Sequence, residues 1–430
     1  MPKDVVRSSV DPRVLFIGVN YAPEPTGIGP YTAGMAEALA RRGWQVDVIT
    51  GHPHYPWWRI PAEHAGLPPR ATRDGVDVHR VHHFVPHSTS MGKRIAHEVT
   101  FGARAVATRW GRPDVVVVVS PALLAARMAM AKAQLLGIPV VAWIQDVYSL
   151  GVREVGGGRG AALIDRVERS LTDGAHRVVA IHDRFALTLA RDLGTSTPVA
   201  VVRNWSHVPD LSRRRSAAMR ARLGWREDDV VVLHAGNMGV KQGLDHVVEA
   251  SRLAAARGSR LRFVLMGDGN CRANLEAMGA NPNLQFIDPL PEEDFQTALA
   301  SADILLVNER PGLTEMSVPS KLTTYFATGL PVLAAVAATS TTYDEVVAAG
   351  QAVPVPAGDP AAILARAEEL AEDRLFAGRL GLAGLEYRRR LLTEASAVRA
   401  FEAALIGVLQ LRGRVRPATV PAGAAVPNPQ

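Results

Sequence analysis

Val115-Val116-Val117-Val118-Val119 is an unbroken run of five β-branched residues. A strand with one wet face alternates apolar and polar side chains, so a run without alternation predicts a strand covered on both faces. Helices provide such cover in parallel α/β sheets, and the rest of the chain repeats the same arrangement. Segments 14–19, 45–50, 76–84, 139–145, 177–181 and 199–203 read as further strands, with helical periodicity over 29–42, 91–110, 122–136, 161–172 and 184–193. The series then restarts. Segments 230–234, 261–266, 284–287, 304–307, 331–335 and 352–355 read as strands, again with helices between them.

Two successive βαβ series predict an α/β chain with two doubly wound domains facing one another. A length of 430 residues suits two or three domains. The seam falls near 205–226, where Pro209, the Arg213-Arg214-Arg215 run and a loss of apolar periodicity coincide. The expected divisions are 1–207, 208–390, a helical piece 391–412, and a disordered tail 413–430 rich in proline.

Composition narrows the function classes. Lys+Arg number 48 and Asp+Glu 42, a formal charge of +6, with 47% hydrophobic and 21% charged residues. Those proportions are ordinary for a globular protein and exclude disordered and collagen-like classes. Aromatics are 6%, with no basic-aromatic platform for stacking bases, which argues against a nucleic-acid partner. Cys271 is the single cysteine, so an internal disulfide and C-x-x-C chemistry are excluded. Residues 1–11 lack an apolar core of signal-peptide length, and the apolar region 115–143 is broken by Arg127, Lys132 and two prolines. The expectation is a cytoplasmic protein.

Chemistry concentrates where strands hand over to helices. Gly27 and Gly29 lie between the first strand and the first helix, at a sheet edge where backbone can approach an anion. The spacing is not G-x-G-x-x-G, and no acidic residue ends the second strand, which disfavours a nicotinamide cofactor. In the second series, Gly236-Asn237-Met238-Gly239-Val240-Lys241-Gln242-Gly243 is a glycine loop holding a lysine. Free backbone amides of this loop plus one ammonium would cradle a diphosphate. Gly267-Asp268-Gly269 and Ile287-Asp288-Pro289-Leu290 end two further strands and add a nucleoside-sized surface beside it. Glu315 offers an acceptor for sugar hydroxyls, while Ser320 and Lys321 open a helix with hydroxyl, ammonium and backbone donors. The set suits transfer of a group from a nucleoside diphosphate.

Tyr21-Ala22-Pro23-Glu24-Pro25-Thr26-Gly27-Ile28-Gly29, the lysine loop, Val318-Pro319-Ser320-Lys321-Leu322 and Ala327-Thr328-Gly329-Leu330-Pro331-Val332 together resemble glycosyltransferase family 4. The nearest likeness is to colanic-acid-type exopolysaccharide transferases, over about residues 13–410. The resemblance implies a GT-B fold, with an acceptor-side first domain and a second domain holding most of a nucleotide-sugar donor. It also implies retention of anomeric configuration, no cofactor and no essential metal. Carried over by position, Lys241 with Asn237 to Gly239 would hold the diphosphate beside Gly267 and Asp268. Ile287, Pro289 and Leu290 would contact the base. Glu315 would touch the transferred sugar, and Ser320, Lys321 and Leu322 would lie near the phosphates. Gly27 and Gly29 would cap them from the first domain. The last helix, near 394–411, would return to brace the first domain. Two positions depart from the pattern: Thr324 stands where many members carry a ribose-binding glutamate, and Asn237 where many carry arginine.

Other residues keep two readings. Asp146 would act as a base, position the acceptor hydroxyl, or cap a helix. His54, Tyr55 and Trp57 would line an acceptor site, since rings stack on sugars, or simply form a surface loop. His52-Pro53-His54 and the histidines between His79 and His87 read as loop histidines and not metal ligands, because Asp, Glu or Cys partners at metal spacing are missing. The basic amphipathic stretch 91–110 fits either an ordinary surface helix or peripheral contact with the inner membrane face and a lipid-linked acceptor. A UDP- or GDP-sugar transferase acting on a hydroxyl acceptor is the reading, with a nucleotide-sugar epimerase of the same fold or a non-catalytic nucleotide-sugar-binding protein as alternatives.

Overall fold

The computed structural model describes residues 11–25, 27–87, 90–148, 161–206, 208–212, 214–312, 320–350 and 354–411. The tail 413–430 and Glu315 lie outside these residues. Two sheets form, one from each half. The first has the order β3-β4-β2-β1-β5-β6-β7-β8. Its strands are β1 (Arg13–Ile17), β2 (Gln45–Gly51), β3 (Arg70–Arg73), β4 (Val76–Val81), β5 (Val115–Val119), β6 (Val140–Ile144), β7 (Arg177–Ala180) and β8 (Val199–Val201). All pairings are parallel except β3 with β4. The valines of β5 divide between two cores, Val116 and Val118 facing one and Val115, Val117 and Val119 the other, as cover on both faces requires.

β3 has no counterpart in the sequence pattern. Arg-Ala-Thr-Arg carries no apolar alternation and is exposed throughout. Its signal is the turn that follows, where Asp74 and Gly75 take φ of 49° and 80°, the pair of left-handed residues a tight hairpin needs. Conversely, of the expected strand 352–355, residues 352 and 353 lie outside the described set, and Val355 forms an isolated bridge with Ala335.

The second sheet has the order β11-β10-β9-β12-β13, all parallel. It comprises β9 (Val230–Ala235), β10 (Leu261–Met266), β11 (Leu284–Ile287), β12 (Ile304–Asn308) and β13 (Val332–Ala335). The strand order reverses beside β1 in the first sheet and beside β9 in the second. Crevices open at the carboxyl ends of strands at such points, one between β1 and β5 and one between β9 and β12.

Helix Glu394–Leu411 lies on the first sheet although it follows the second in sequence. Phe401 stacks on Phe16 at 6.0 Å and meets the Trp143 ring at a tilt with centroids 4.7 Å apart, and Trp44 Nε1 donates to Glu402 at 2.9 Å. Across the junction, Arg184 pairs with Asp344 at 2.6 Å, and buried Glu345 accepts from Tyr387 at 3.0 Å with His182 Nε2 3.2 Å away.

Candidate active site

The first crevice is built on Glu24. Its carboxylate is buried, and burial pushes its pKa up, against three hydrogen bonds that favour the ion. Oε1 accepts from the amides of His54 at 2.9 Å and Tyr55 at 3.0 Å, and Oε2 accepts from Asn20 at 2.9 Å. One side chain thus ties the loop after β1 to the loop after β2. Gly27 has φ of 69°, a conformation that favours glycine, and a Cβ there would press on the Tyr55 ring at 3.0 Å.

Between these loops lies a cavity of about 230 Å³, lined in part by Gly27, His54, Tyr55, Trp58, His97 and Asp146. A larger space of about 500 Å³ sits around Arg13 and Asp47, which pair with each other at 2.6 Å. Of the expected ring residues, His54 and Tyr55 line the smaller cavity and Trp57 does not. Trp58 takes φ of 50°, the chain reverses there, and Trp57 is left 38% exposed outside. Arg94, Glu98 and Tyr148 also line the cavity.

Asp146 follows β6 in a turn that Gln145 anchors. The Gln145 amide donates to Ser120 Oγ at 2.8 Å, and its Oε1 accepts from Asn204 at 3.0 Å. Desolvation raises the Asp146 carboxyl to about 6, helped by Glu168 and opposed by the Lys241 ammonium. That opposition places the lysine loop of the second sheet within electrostatic reach of the first crevice. Glu98 is likewise pushed up to about 7 by burial, against a hydrogen bond from the Leu124 amide. Burial, helped by neighbouring imidazoles (His97 and His54 for His83, His54 for His97), lowers His83 to about 3 and His97 to about 4, so both rings are neutral at pH 7.

In the second crevice the two glycine loops pack backbone on backbone. A Cβ at Gly267 would sit 2.1 Å from Gly236 O, and one at Gly269 2.6 Å from Met238 O. The expected free cradle is therefore partly occupied. The Met238 amide donates to Asp268 O at 2.8 Å, and the Gly239 amide to Gln242 Oε1 at 3.1 Å, because the loops need these bonds to hold together. Arg272 binds Gly267 O at 2.9 Å and Asp288 at 2.6 Å, joining this loop to the Ile287–Leu290 turn. Asn308, at the end of β12, donates to Gln242 O at 2.7 Å and Gly243 O at 2.8 Å.

Two ammonium groups reach this crevice. Lys241 is exposed on its loop. Lys321 lies over Gly236, whose added Cβ would be 4.0 Å from Nζ, and Nζ is 3.4 Å from His234 Nε2. His234 is fully buried and its pKa is driven well below the usual range by desolvation and by Lys321, so it stays neutral beside the lysine. Tyr325, one turn along the same helix (Ser320–Phe326), binds the Ala235 amide at 2.8 Å and its carbonyl at 3.3 Å, pinning that helix to the end of β9. Leu322 is buried in the core of this sheet, which gives it a packing position on that helix.

Two Rossmann-like sheets whose switch-point crevices face one another define the GT-B class of glycosyltransferases. Residues 26–205 match the glycosyl transferase 4-like domain, and residues 229–373 match glycosyl transferases group 1. WcaI of Escherichia coli (strain K12), by name a colanic acid biosynthesis glycosyl transferase, is 34% identical over 338 residues, covering 74% of this chain and 81% of that protein. The chain belongs to glycosyltransferase family 4, and it is an enzyme of that kind. A 2-deoxystreptamine glucosyltransferase of Streptomyces kanamyceticus is 28% identical over 153 residues, 34% of this chain and 40% of its own. Among solved structures, sucrose-phosphate synthase of Thermosynechococcus elongatus superposes with a TM-score of 0.71 at 15% identity, over 93% of this chain and all of that one. HepE of Anabaena in complex with UDP gives 0.65 at 13%, over 92% and all.

Proposed function

We propose that the chain moves a sugar from a UDP- or GDP-sugar to a hydroxyl acceptor with retention, and without a metal bridging the diphosphate. The observation that carries this reading is the Lys321 ammonium over Gly236, held by a neutral His234 at the switch point of the second sheet, with Lys241 within electrostatic reach of Asp146. Fixed positive charge at that point stabilises a departing diphosphate as its bond to the sugar breaks. The acceptor oxygen bonds to the same face of the anomeric carbon, and its proton passes to the leaving phosphate oxygen. Asp146 positions the acceptor hydroxyl. Ile287, Pro289 and Leu290 would contact the base, Gly267 and Asp268 would lie beside the diphosphate that Gly27 and Gly29 cap, and Glu315 would touch the transferred sugar. The expectation that no cofactor takes part in cleaving the donor stays part of this proposal.

HepE solved with UDP-glucose supports a nucleotide-sugar donor, and WcaI, matched over most of its length, supports a polysaccharide pathway. The test is nucleoside diphosphate release from a panel of UDP- and GDP-sugars, with and without acceptor glycans, and the anomeric configuration of the product by NMR. Acceptor-dependent release with a retained anomer is expected. Donor turnover without acceptor would favour an epimerase, and binding without release a non-catalytic protein.

Asp146 must be ionised to accept from the acceptor hydroxyl. With its carboxyl raised to about 6, kcat/KM should fall as pH drops through that value, about tenfold per unit below it. Asp146→Asn should lower the plateau and remove the limb; an unchanged limb in the variant would contradict the assignment.

Among the described residues, no helix is long and apolar enough to cross a membrane. Helix Met91–Ala107, however, buries His97 and Phe101 and leaves Met91, Ile95 and Val99 exposed at 56%, 43% and 40%. These three fall at i, i+4 and i+8, beside exposed Lys93 and Arg94, which suits shallow insertion into an anionic surface. Full-length protein should pellet with anionic vesicles at low salt, and Ile95→Glu should release it. Failure of the wild type to pellet would end this part of the proposal.

A further inference from the structure

Three histidines from three separate elements meet beside the acceptor-side cavity. His54 comes from the loop after β2, His83 from the segment after β4, and His97 from helix Met91–Ala107. One ring nitrogen of each lies within 4.8 Å of those of the other two. Ring centroids are 5.3 Å apart for His54–His83, 4.8 Å for His54–His97 and 4.8 Å for His83–His97. We propose that His54, His83 and His97 bind one zinc-class divalent transition metal, with a fourth position left for water or an acceptor hydroxyl.

The hydrogen bonding fits a ligand set. His54 Nδ1 lies 3.0 Å from His52 O and 3.4 Å from Glu24 Oε1, His97 Nδ1 2.8 Å from Phe84 O, and His83 Nδ1 3.4 Å from Val81 O. Carbonyl and carboxylate oxygens only accept, so each Nδ1 carries its proton and the lone pair sits on Nε2. Metal-bound histidines are oriented in this way, by a second nitrogen donating to a carbonyl or carboxylate. His83 Nε2 is buried with no hydrogen-bond partner among the described residues, an arrangement that costs stability if nothing coordinates it. The chain also makes room for that ring, since a Cβ at Gly51 would sit 2.4 Å from His83 Cε1.

Three neutral imidazoles select zinc-class ions over magnesium or calcium, which take oxygen ligands. Tetrahedral coordination at 2.0–2.1 Å places nitrogens about 3.4 Å apart, so the rings must close by no more than about 1.4 Å. His54 and His97 also line the 230 Å³ cavity that contains Asp146, which sets the open position on the acceptor side and away from the diphosphate. The site stands on the first sheet alone, so its failure would leave the transfer reading untouched.

The experiment is a Co²⁺ titration of full-length, chelator-stripped protein, followed by visible absorption and then by Zn²⁺ and Mg²⁺ competition. One equivalent of Co²⁺ should give the intense bands of a four-coordinate site, displaced by Zn²⁺ and not by Mg²⁺. His97→Ala and His83→Ala should weaken binding by about 100-fold or more, while His87→Ala, an exposed histidine outside the cluster, should not. Melting curves check the variants; should His83→Ala unfold, His83→Gln keeps the volume and removes the imidazole. Absence of saturable binding, a faint six-coordinate spectrum, or full affinity in folded His83 and His97 variants would overturn the proposal.

Discussion

Lys321→Ala will lower kcat/KM by about 10²–10³-fold while leaving the fold intact, the loss expected when one fixed group stabilising a leaving anion is removed. Lys321 sits at the switch point of the second sheet, held by His234 at 3.4 Å and carried on a helix that Tyr325 fastens to β9. Its charge is therefore in place before the diphosphate departs and needs no reorganisation. Lys321→Arg will not restore activity, because a planar guanidinium fork does not replace a compact ammonium point charge held 3.4 Å from His234. Lys241→Ala will have the smaller effect, about tenfold, since that side chain is exposed and water competes for the same phosphate. Steady-state kinetics with the preferred donor checks all three. Equal activity in Lys321→Ala and wild type would remove the residue on which the donor site rests.

Glu24→Ala will destabilise the protein by about 2–5 kcal/mol and raise the acceptor KM, because it strands the buried amides of His54 and Tyr55 together with the Asn20 side chain. Glu24→Gln will cost less than about 1 kcal/mol. One oxygen of Glu24 already accepts both amides, an amide carbonyl can do the same, and Asn20 need only turn its own amide to accept from the new nitrogen. Thermal denaturation of the pair decides it. Equal losses in the two variants would mean that the charge, and not the hydrogen-bond geometry, holds the loops together.

The fold was legible because it is written in short-range patterns. The Val115–Val119 run fixes a doubly covered strand, and the glycine loops after β1, β9 and β10 mark the carboxyl edges. What escaped depends on contacts between distant segments. His97 reads as one polar residue of an amphipathic helix, and only folding brings it beside His54 and His83. His234, within β9, carries no sequence signal of its role, because Lys321, 87 positions away, reaches it only in the folded chain. Trp57 and Trp58 are indistinguishable until the φ of Trp58 turns one of them inward. The glycine loop suggested free amides, but whether an amide is free depends on the neighbouring loop, and Asp268 and Gln242 take two of them.

The most direct measurement is the binding of UDP and GDP to wild-type protein and to Lys321→Ala, by thermal shift in the presence of EDTA. One of the two nucleotides should stabilise the wild type, by roughly 2.7 kcal/mol at 100 times its dissociation constant, and the variant far less at the same concentration. Failure of both nucleotides to bind, or an equal shift in wild type and variant, would contradict a metal-independent diphosphate site built on Lys321.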